Sequence, residues 1–404
     1  MSKVLRVGVA GLGAASKQIL PHIDKVAGMA LTAGADTRPD AVEEFTSKHA
    51  NCKGFTSVEE MYKSGEIDAV WIATPNVNHA EHTIRAAESG IHVIVEKPTA
   101  VTLDEVDQMI AACDRHKVKL VQGHSKVYGP AIQKIREIVA SGRLGKVIQI
   151  NSWNSNDWMQ RPRLASEVDT SVGGGIVFRQ GPHMIDIIRY IGGGMVKNVR
   201  AVTGRNDKNF NTEGDYTAFL EFDNGCAATA VFNAYGFFDA AELTWGIGEG
   251  GKRLPEEDTG KHAPGERLTG AVDMAYKYAH PRTTEERAGR ERASQSFFGI
   301  TVVGCERGII RQSPNGLFVY TAEGKEEIPC PPDAGRKAEL RSLQEAIEQN
   351  KAPFLDGRWG KATLEVCLAM LQSSQERREI ALKHQVPSVD VKVPPVAMKA
   401  AVGA

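Results

Sequence analysis

Apolar residues in the first part of the chain fall into short unbroken runs separated by stretches with helical spacing. Residues 4–10 (VLRVGVA) make a run the length of one buried strand. Residues 30–35, 69–73 and 92–96 repeat it, and residues 119–122 read as the last strand of the series. A helical stretch is expected from the first strand to Val26, and further helices over residues 39–49, 80–89 and 102–116. Ser57 and Thr102 each stand three residues before a glutamate, the capping-box spacing, and should open a short and a longer helix. Strands and helices alternating at this size predict right-handed βαβ units on a doubly wound parallel sheet.

Beyond Tyr128 the grammar changes. One helix over residues 131–141 ends in a glycine-containing turn at 142–145. Period-2 runs follow at 147–153, 199–204, 215–222, 227–235, 298–303, 308–311 and 317–320. Strands in series without intervening helices predict an antiparallel sheet. Residues 168–193 read as helical after the turn at Gly173-Gly174-Gly175, and residues 338–349 and 358–384 as two closing helices. Two domains are expected, at 1–125 and 126–386, with a tail at 387–404. Residues 248–296 form a charged insertion, read as a lid, an oligomer contact or a mobile connection.

Composition narrows the function classes. Forty-nine Lys and Arg against fifty Asp and Glu leave a net charge of −1 over 404 residues, so nothing marks a nucleic-acid or membrane-binding surface. The apolar runs are far shorter than a membrane-crossing helix needs. The N-terminus enters a strand at once, which leaves no room for a signal peptide. Six cysteines, Cys52, Cys113, Cys226, Cys305, Cys330 and Cys367, stand singly, as expected of a reduced, cytoplasmic protein. The histidines show no ligand spacing, so no metal is expected.

The first chemical signal is the loop Gly11-Leu12-Gly13-Ala14-Ala15-Ser16, directly after the first strand. Its two glycines permit a tight turn and bring backbone amides near a pyrophosphate at a helix N-terminus. Ser16 stands where a third glycine is usual and is small enough for close packing. Asp36 closes the second strand, placed to accept from both ribose hydroxyls of NAD and to repel a 2′-phosphate. Arg38 opposes that reading because it could hold the phosphate, and Asp36 could alternatively be a helix N-cap. NAD is the expected cofactor, with NADP possible.

Thr74-Pro75-Asn76 with His79, and Glu96-Lys97-Pro98, make the reading specific. With the glycine loop and Gly181-Pro182-His183, they resemble the glucose–fructose oxidoreductase / inositol dehydrogenase family over essentially the whole chain. That resemblance implies an α/β protein with an N-terminal Rossmann domain and a C-terminal α+β domain carrying a large, mostly antiparallel sheet. It further implies Lys97 and His183 as the catalytic pair, Thr74, Pro75, Asn76, His79, Glu96 and Lys97 beside the cofactor, and a homo-oligomer (dimer or tetramer). For Lys97 the residues argue alongside it: a lysine partly desolvated at the carboxyl end of a parallel strand has a lowered pKa suited to proton transfer. The alternative is an exposed strand-end lysine.

One departure from the family is informative. Four residues before the histidine the family usually carries aspartate, and this chain has Arg179. Arg161 and Arg163 lie nearby in sequence, and three guanidinium forks around one crevice suggest an acidic substrate. Solvated loop arginines are the plainer reading of Arg161 and Arg163. His124 and Tyr128, just past the last strand of that series, are further pocket candidates. Within the family this pattern, with the long charged insertion, is similar to that of dehydrogenases of cis-dihydroxycyclohexadiene dicarboxylates. A sugar or polyol dehydrogenase and a cofactor-bound regulator without catalysis are the rivals.

Overall fold

The computed structural model of the chain describes residues 4–123, 126–253, 268–279, 293, 295–332 and 335–389. Its first part holds strands β1 (Leu5–Ala10), β2 (Met29–Ala35), β3 (Lys53–Phe55), β4 (Ala69–Ile72), β5 (His92–Glu96) and β6 (Leu120–Gly123). The helices between them are α1 (Leu20–Ile23), α2 (Pro39–Lys48), α3 (Val58–Lys63), α4 (His79–Glu88) and α5 (Leu103–His116). The strands pair in parallel in the order β3-β2-β1-β4-β5-β6, so the order reverses between β1 and β4. Ligands bind at such a switch point, beyond the carboxyl ends of the strands.

The apolar runs become strands because both faces of this sheet are covered. Val7, Val9, Trp71 and Ile94 pack on one side, and Ala10, Val70, Ile72 and Val95 on the other. The Thr102 capping box forms in full, each partner bonding the other's backbone N–H. At Ser57 only the forward half exists, its hydroxyl accepting from Glu60 N at 3.4 Å. Edge strand β3, three residues long, carried no apolar run by which to read it.

The second part contributes α6 (Pro130–Ala140), β7 (Val147–Ser155), α7 (Gly175–Arg179), α8 (Gly181–Gly192), β8 (Val196–Gly204), β9 (Asp215–Phe222), β10 (Ala227–Asn233) and α9 (Met274–Ala279). It continues through β11 (Ile300–Cys305), β12 (Gly308–Ser313), β13 (Gly316–Thr321), β14 (Gly324–Pro329), α10 (Arg336–Glu348), α11 (Gly357–Glu376) and β15 (Ile380–Ala381). Its nine strands form one sheet, β14-β13-β12-β11-β7-β10-β9-β8-β15, antiparallel except for the β7–β10 pair. One face buries Ile150, Ala218, Leu220, Phe232 and Val303 against α6 and α8. The chain then returns to the first sheet: Leu340 and Leu343 of α10 pack with Val9, Trp71 and Val121.

Three helical expectations are corrected. After β1 the chain makes only a 3₁₀ turn, Ser16–Gln18, and the four-residue α1. The stretch read as helical over 168–193 begins in 3₁₀ turns and, after the glycine turn, continues as two helices, α7 and α8, broken at Gln180 where Gly181-Pro182 opens the second. The last helix stops at Glu376, where Arg377 turns left-handed, and Ile380–Ala381 pairs with β8. Most of the charged insertion and the tail from residue 390 lie outside the described residues.

Candidate active site

The site begins where β1 meets the turn after β4. Gly11 has φ +90°, and a Cβ there would lie 2.7 Å from the Ala73 carbonyl oxygen, so only glycine permits this crossing. Ser16 is buried and donates to the Gly13 carbonyl at 2.7 Å, closing the loop where a third glycine is usual. Leu12 N donates to Asp36 Oδ2 at 2.8 Å, and Arg38 donates to Asp36 Oδ1 through its backbone N at 3.0 Å and Nε at 3.2 Å. The N-cap of α2 is Arg38, so Asp36 is not a helix cap. Ala14 is exposed and Ala15 half-buried. The loop and the carboxylate at the end of β2 fit a dinucleotide; with α1 so short, backbone amides rather than a long helix would meet its phosphates.

Asn76, His79 and Glu96, expected at the cofactor, are each bonded within the protein. His79 is 1 % exposed, with Nδ1 2.8 Å from the Pro98 carbonyl and Nε2 3.0 Å from that of Thr74. It ties the loop after β4 to the loop after β5, and burial holds its pKa below the ordinary value despite those carbonyls. Asn76 donates to the Gly173 carbonyl at 2.7 Å and accepts from Arg179 Nη1 at 3.2 Å. Glu96 is buried and paired with Arg336 of α10 at 2.9 Å, which also holds Glu339. Thr74 bonds His82 Nδ1 at 3.0 Å, and Pro75 beside it is exposed.

Lys97, half-buried, crosses to the second part of the chain, donating from Nζ to the Arg179 carbonyl at 2.9 Å. Burial is the main reason its pKa is pulled down to about 7; Arg179, Arg336 and Arg163 add to it and Glu96 opposes it. The carbonyl it meets lies at the junction of α7 and α8, and His183 stands in the first turn of α8. The His183 ring rests against Phe298, centroids 5.2 Å apart. The junction is set from below by Glu213, buried, which accepts from Val177 N at 3.1 Å and from Thr170 Oγ1 at 2.6 Å. Topology thus brings the two expected catalytic residues to one turn of backbone.

Arg179 and Arg163 converge, but on a carboxylate that sequence reasoning passed over. Arg179 Nη2 lies 2.8 Å from Glu167 Oε1, Arg163 Nη1 lies 3.9 Å from the same oxygen, and Lys277 of α9 pairs with Oε2. Burial would raise the Glu167 pKa, yet Arg179, Arg163 and Lys277 outweigh it and hold it down at about 2. Arg163 also stacks over Trp158 at 4.3 Å. Burial, with Arg161 and Arg179 alongside, pulls its guanidinium below the ordinary value in spite of Glu167. The Arg163/Glu167 spacing of four residues was a readable signal; nothing local marked Lys277 or Glu213.

Two expected pocket residues are corrected. Arg161 pairs with Asp157 at 2.8 Å, among further acids at Glu249 and Asp239, and does not join the Glu167 group. Tyr128 is buried in the core of the second part, edge-on to Phe354 at 5.3 Å, and burial drives its phenol pKa up. His124 lies outside the described residues.

Comparisons with known proteins agree with this layout. Residues 5–124 match the sequence model of the oxidoreductase family with NAD-binding Rossmann fold, and residues 132–242 match that of the GFO/IDH/MocA C-terminal domain. The chain is 33% identical over 381 residues to 1-carboxy-3-chloro-3,4-dihydroxycyclo hexa-1,5-diene dehydrogenase of Comamonas testosteroni, covering 92% of this chain and 95% of that one. A Bordetella bronchiseptica RB50 protein, provisionally called a dehydrogenase, superposes with a TM-score of 0.84 at 35% identity, covering 94% of this chain and all (100%) of the other. An Agrobacterium radiobacter oxidoreductase, solved with NAD+, L-tartaric acid and magnesium, shares the fold at a TM-score of 0.69 and 16% identity, covering 94% and 98% of the two chains. Among the described residues no helix is long and apolar enough to cross a membrane.

Proposed function

The chain belongs to the GFO/IDH/MocA oxidoreductase family, and on that premise we propose that it dehydrogenates a carboxylated cis-dihydroxycyclohexadiene to the corresponding catechol. The finer form of the proposal is oxidation of phthalate cis-4,5-dihydrodiol to 4,5-dihydroxyphthalate. The observation that carries it is Lys97, pKa about 7, held against the Arg179 carbonyl with guanidinium groups beside it. The Comamonas relative, named for a carboxylated dihydroxycyclohexadiene, supports the same substrate class.

Bound NAD supplies the acceptor for a hydride from one carbinol carbon. The protein's part is to orient the ring and take the proton from that carbon's hydroxyl. A lysine whose pKa is pulled down to about 7 is populated as the neutral amine near neutral pH, so Lys97 can accept that proton without first losing one. His183, across the same junction, is its partner at the hydroxyl. Arg179 and Arg163 hold substrate carboxylate, the task for which a bidentate fork is suited. The ketone left after loss of hydride and proton tautomerises to an aromatic catechol, which makes the oxidation favourable. A polyol site would instead need acceptors for several hydroxyls, and the groups gathered here are three cations about one carboxylate.

Formation of reduced cofactor from NAD tests the reading. Carboxylated cis-dihydrodiols should support turnover, and sugars and inositols should not. Faster turnover of polyols would replace it with the sugar-dehydrogenase reading, and cofactor binding without turnover of any of these alcohols would make the protein a regulator.

A further inference from the structure

We propose that Lys277, carried into the site by helix α9 of the charged insertion, makes this a site for a dianionic substrate: it holds the second of two carboxylates. The proposal rests on the acidic-substrate reading above and deepens it by naming the residue that holds the second carboxylate. Arg163, Arg179 and Lys277 surround one carboxylate, Glu167, with side-chain exposures of 14%, 23%, 17% and 11% respectively. Among the described residues, three cations against one anion leave two positive charges in excess in this group. The neighbouring acids are committed elsewhere: Glu96 to Arg336, Asp157 to Arg161, and Glu213 to Val177 N and the hydroxyls of Thr170 and Thr212. Asp169 caps Ser171 in solvent, and Asp273 accepts from Tyr276 N at the start of α9.

Holding cations together in a partly desolvated place is costly unless anions arrive, and a ligand with two carboxylates supplies the two charges that balance the group. The segment carrying Lys277 is fixed to the site wall independently of that ion pair. Leu268 N donates to Gln160 Oε1 at 3.1 Å, and Val272 N donates to the Arg163 carbonyl at 2.7 Å. Lys277 is therefore delivered to Glu167 Oε2, while Arg179 and Arg163 face Oε1. Glu167 keeps the cations spaced, Arg179 takes the carboxylate nearer Lys97, and Lys277 takes the other.

Titration calorimetry on the NAD-saturated protein tests this with phthalate, a dianion, and benzoate, a monoanion of the same ring. The unmutated protein should bind phthalate at least tenfold more tightly than benzoate. Lys277→Met should weaken phthalate by about tenfold to a hundredfold, the scale of one charged hydrogen bond, and benzoate less than threefold. Lys277→Arg should restore most of the loss, and NAD affinity should be the same in all three proteins, which controls for folding. Equal weakening of both anions, or none of either, would overturn the role of Lys277 while leaving an acidic substrate in place. If the unmutated protein binds neither anion, the acidic-substrate reading itself fails.

Discussion

Replacing Arg179 by glutamine should move the pH at which Lys97 becomes a base. In the native site burial accounts for most of the fall of Lys97 to about 7, and Arg179 is the next largest cause. Arg179 presents its backbone carbonyl to Nζ at 2.9 Å, and a guanidinium roughly 7 Å from Nζ sets the scale of the repulsion. Two like charges at that separation, at an effective dielectric of about 20 to 40, repel by about 1–2 kcal/mol, or roughly one pH unit. The sign follows from which form is penalised. A nearby cation disfavours protonated Lys97, so removing it raises the pKa, and the free base appears only at higher pH. The assay is kcat/KM against pH at saturating NAD, which reports groups of the enzyme before substrate binds. The acid limb should have its midpoint near 7 in the native enzyme, near 8 in Arg179→Gln, and near 7 again in Arg179→Lys, even where both variants lose affinity. Burial remains, so the midpoint should stay well short of a free lysine. A midpoint in Arg179→Gln that stays put or falls would refute Arg179 as the neighbour that tunes the base.

Asp36→Ala should narrow the preference for NAD over NADP by about 1–3 kcal/mol, because it removes an acceptor and frees Arg38 to meet a 2′-phosphate; the ratio of kcat/KM for the two cofactors measures it, and an unchanged ratio would count against Asp36 as the discriminator. Arg336→Leu should destabilise the fold by about 3–5 kcal/mol, since it leaves Glu96 and Glu339 buried without their cation. The urea midpoint measures that loss, and a shift of under about 1 kcal/mol would show that the pair does not fasten α10 to the first sheet.

Local spacing in the chain was enough to read β1, β2, β4, β5 and β6 and the helices α2 to α5, because burial of both faces of a parallel sheet demands unbroken apolar runs. It was enough for the Thr102 capping box and for Gly11, whose role depends on backbone geometry within a few residues. The antiparallel runs of the second part were equally legible, each alternating about one buried face. Lys97 and His183 could be named from motifs; that Lys97 reaches the backbone at the α7–α8 junction, one turn from His183, came only with the fold. The failures have one cause. Whether a polar side chain faces a ligand or braces the scaffold depends on partners that sequence distance hides: Lys97 meets Arg179 across 82 residues and Lys277 meets Glu167 across 110. His79 and Glu96 have the right residue types in the right motif, yet tertiary packing buried them against Pro98 and Arg336. Periodicity is a property of neighbours in the chain and is written there. The charge balance around Glu167 is a property of neighbours in space, and folding alone assembled it.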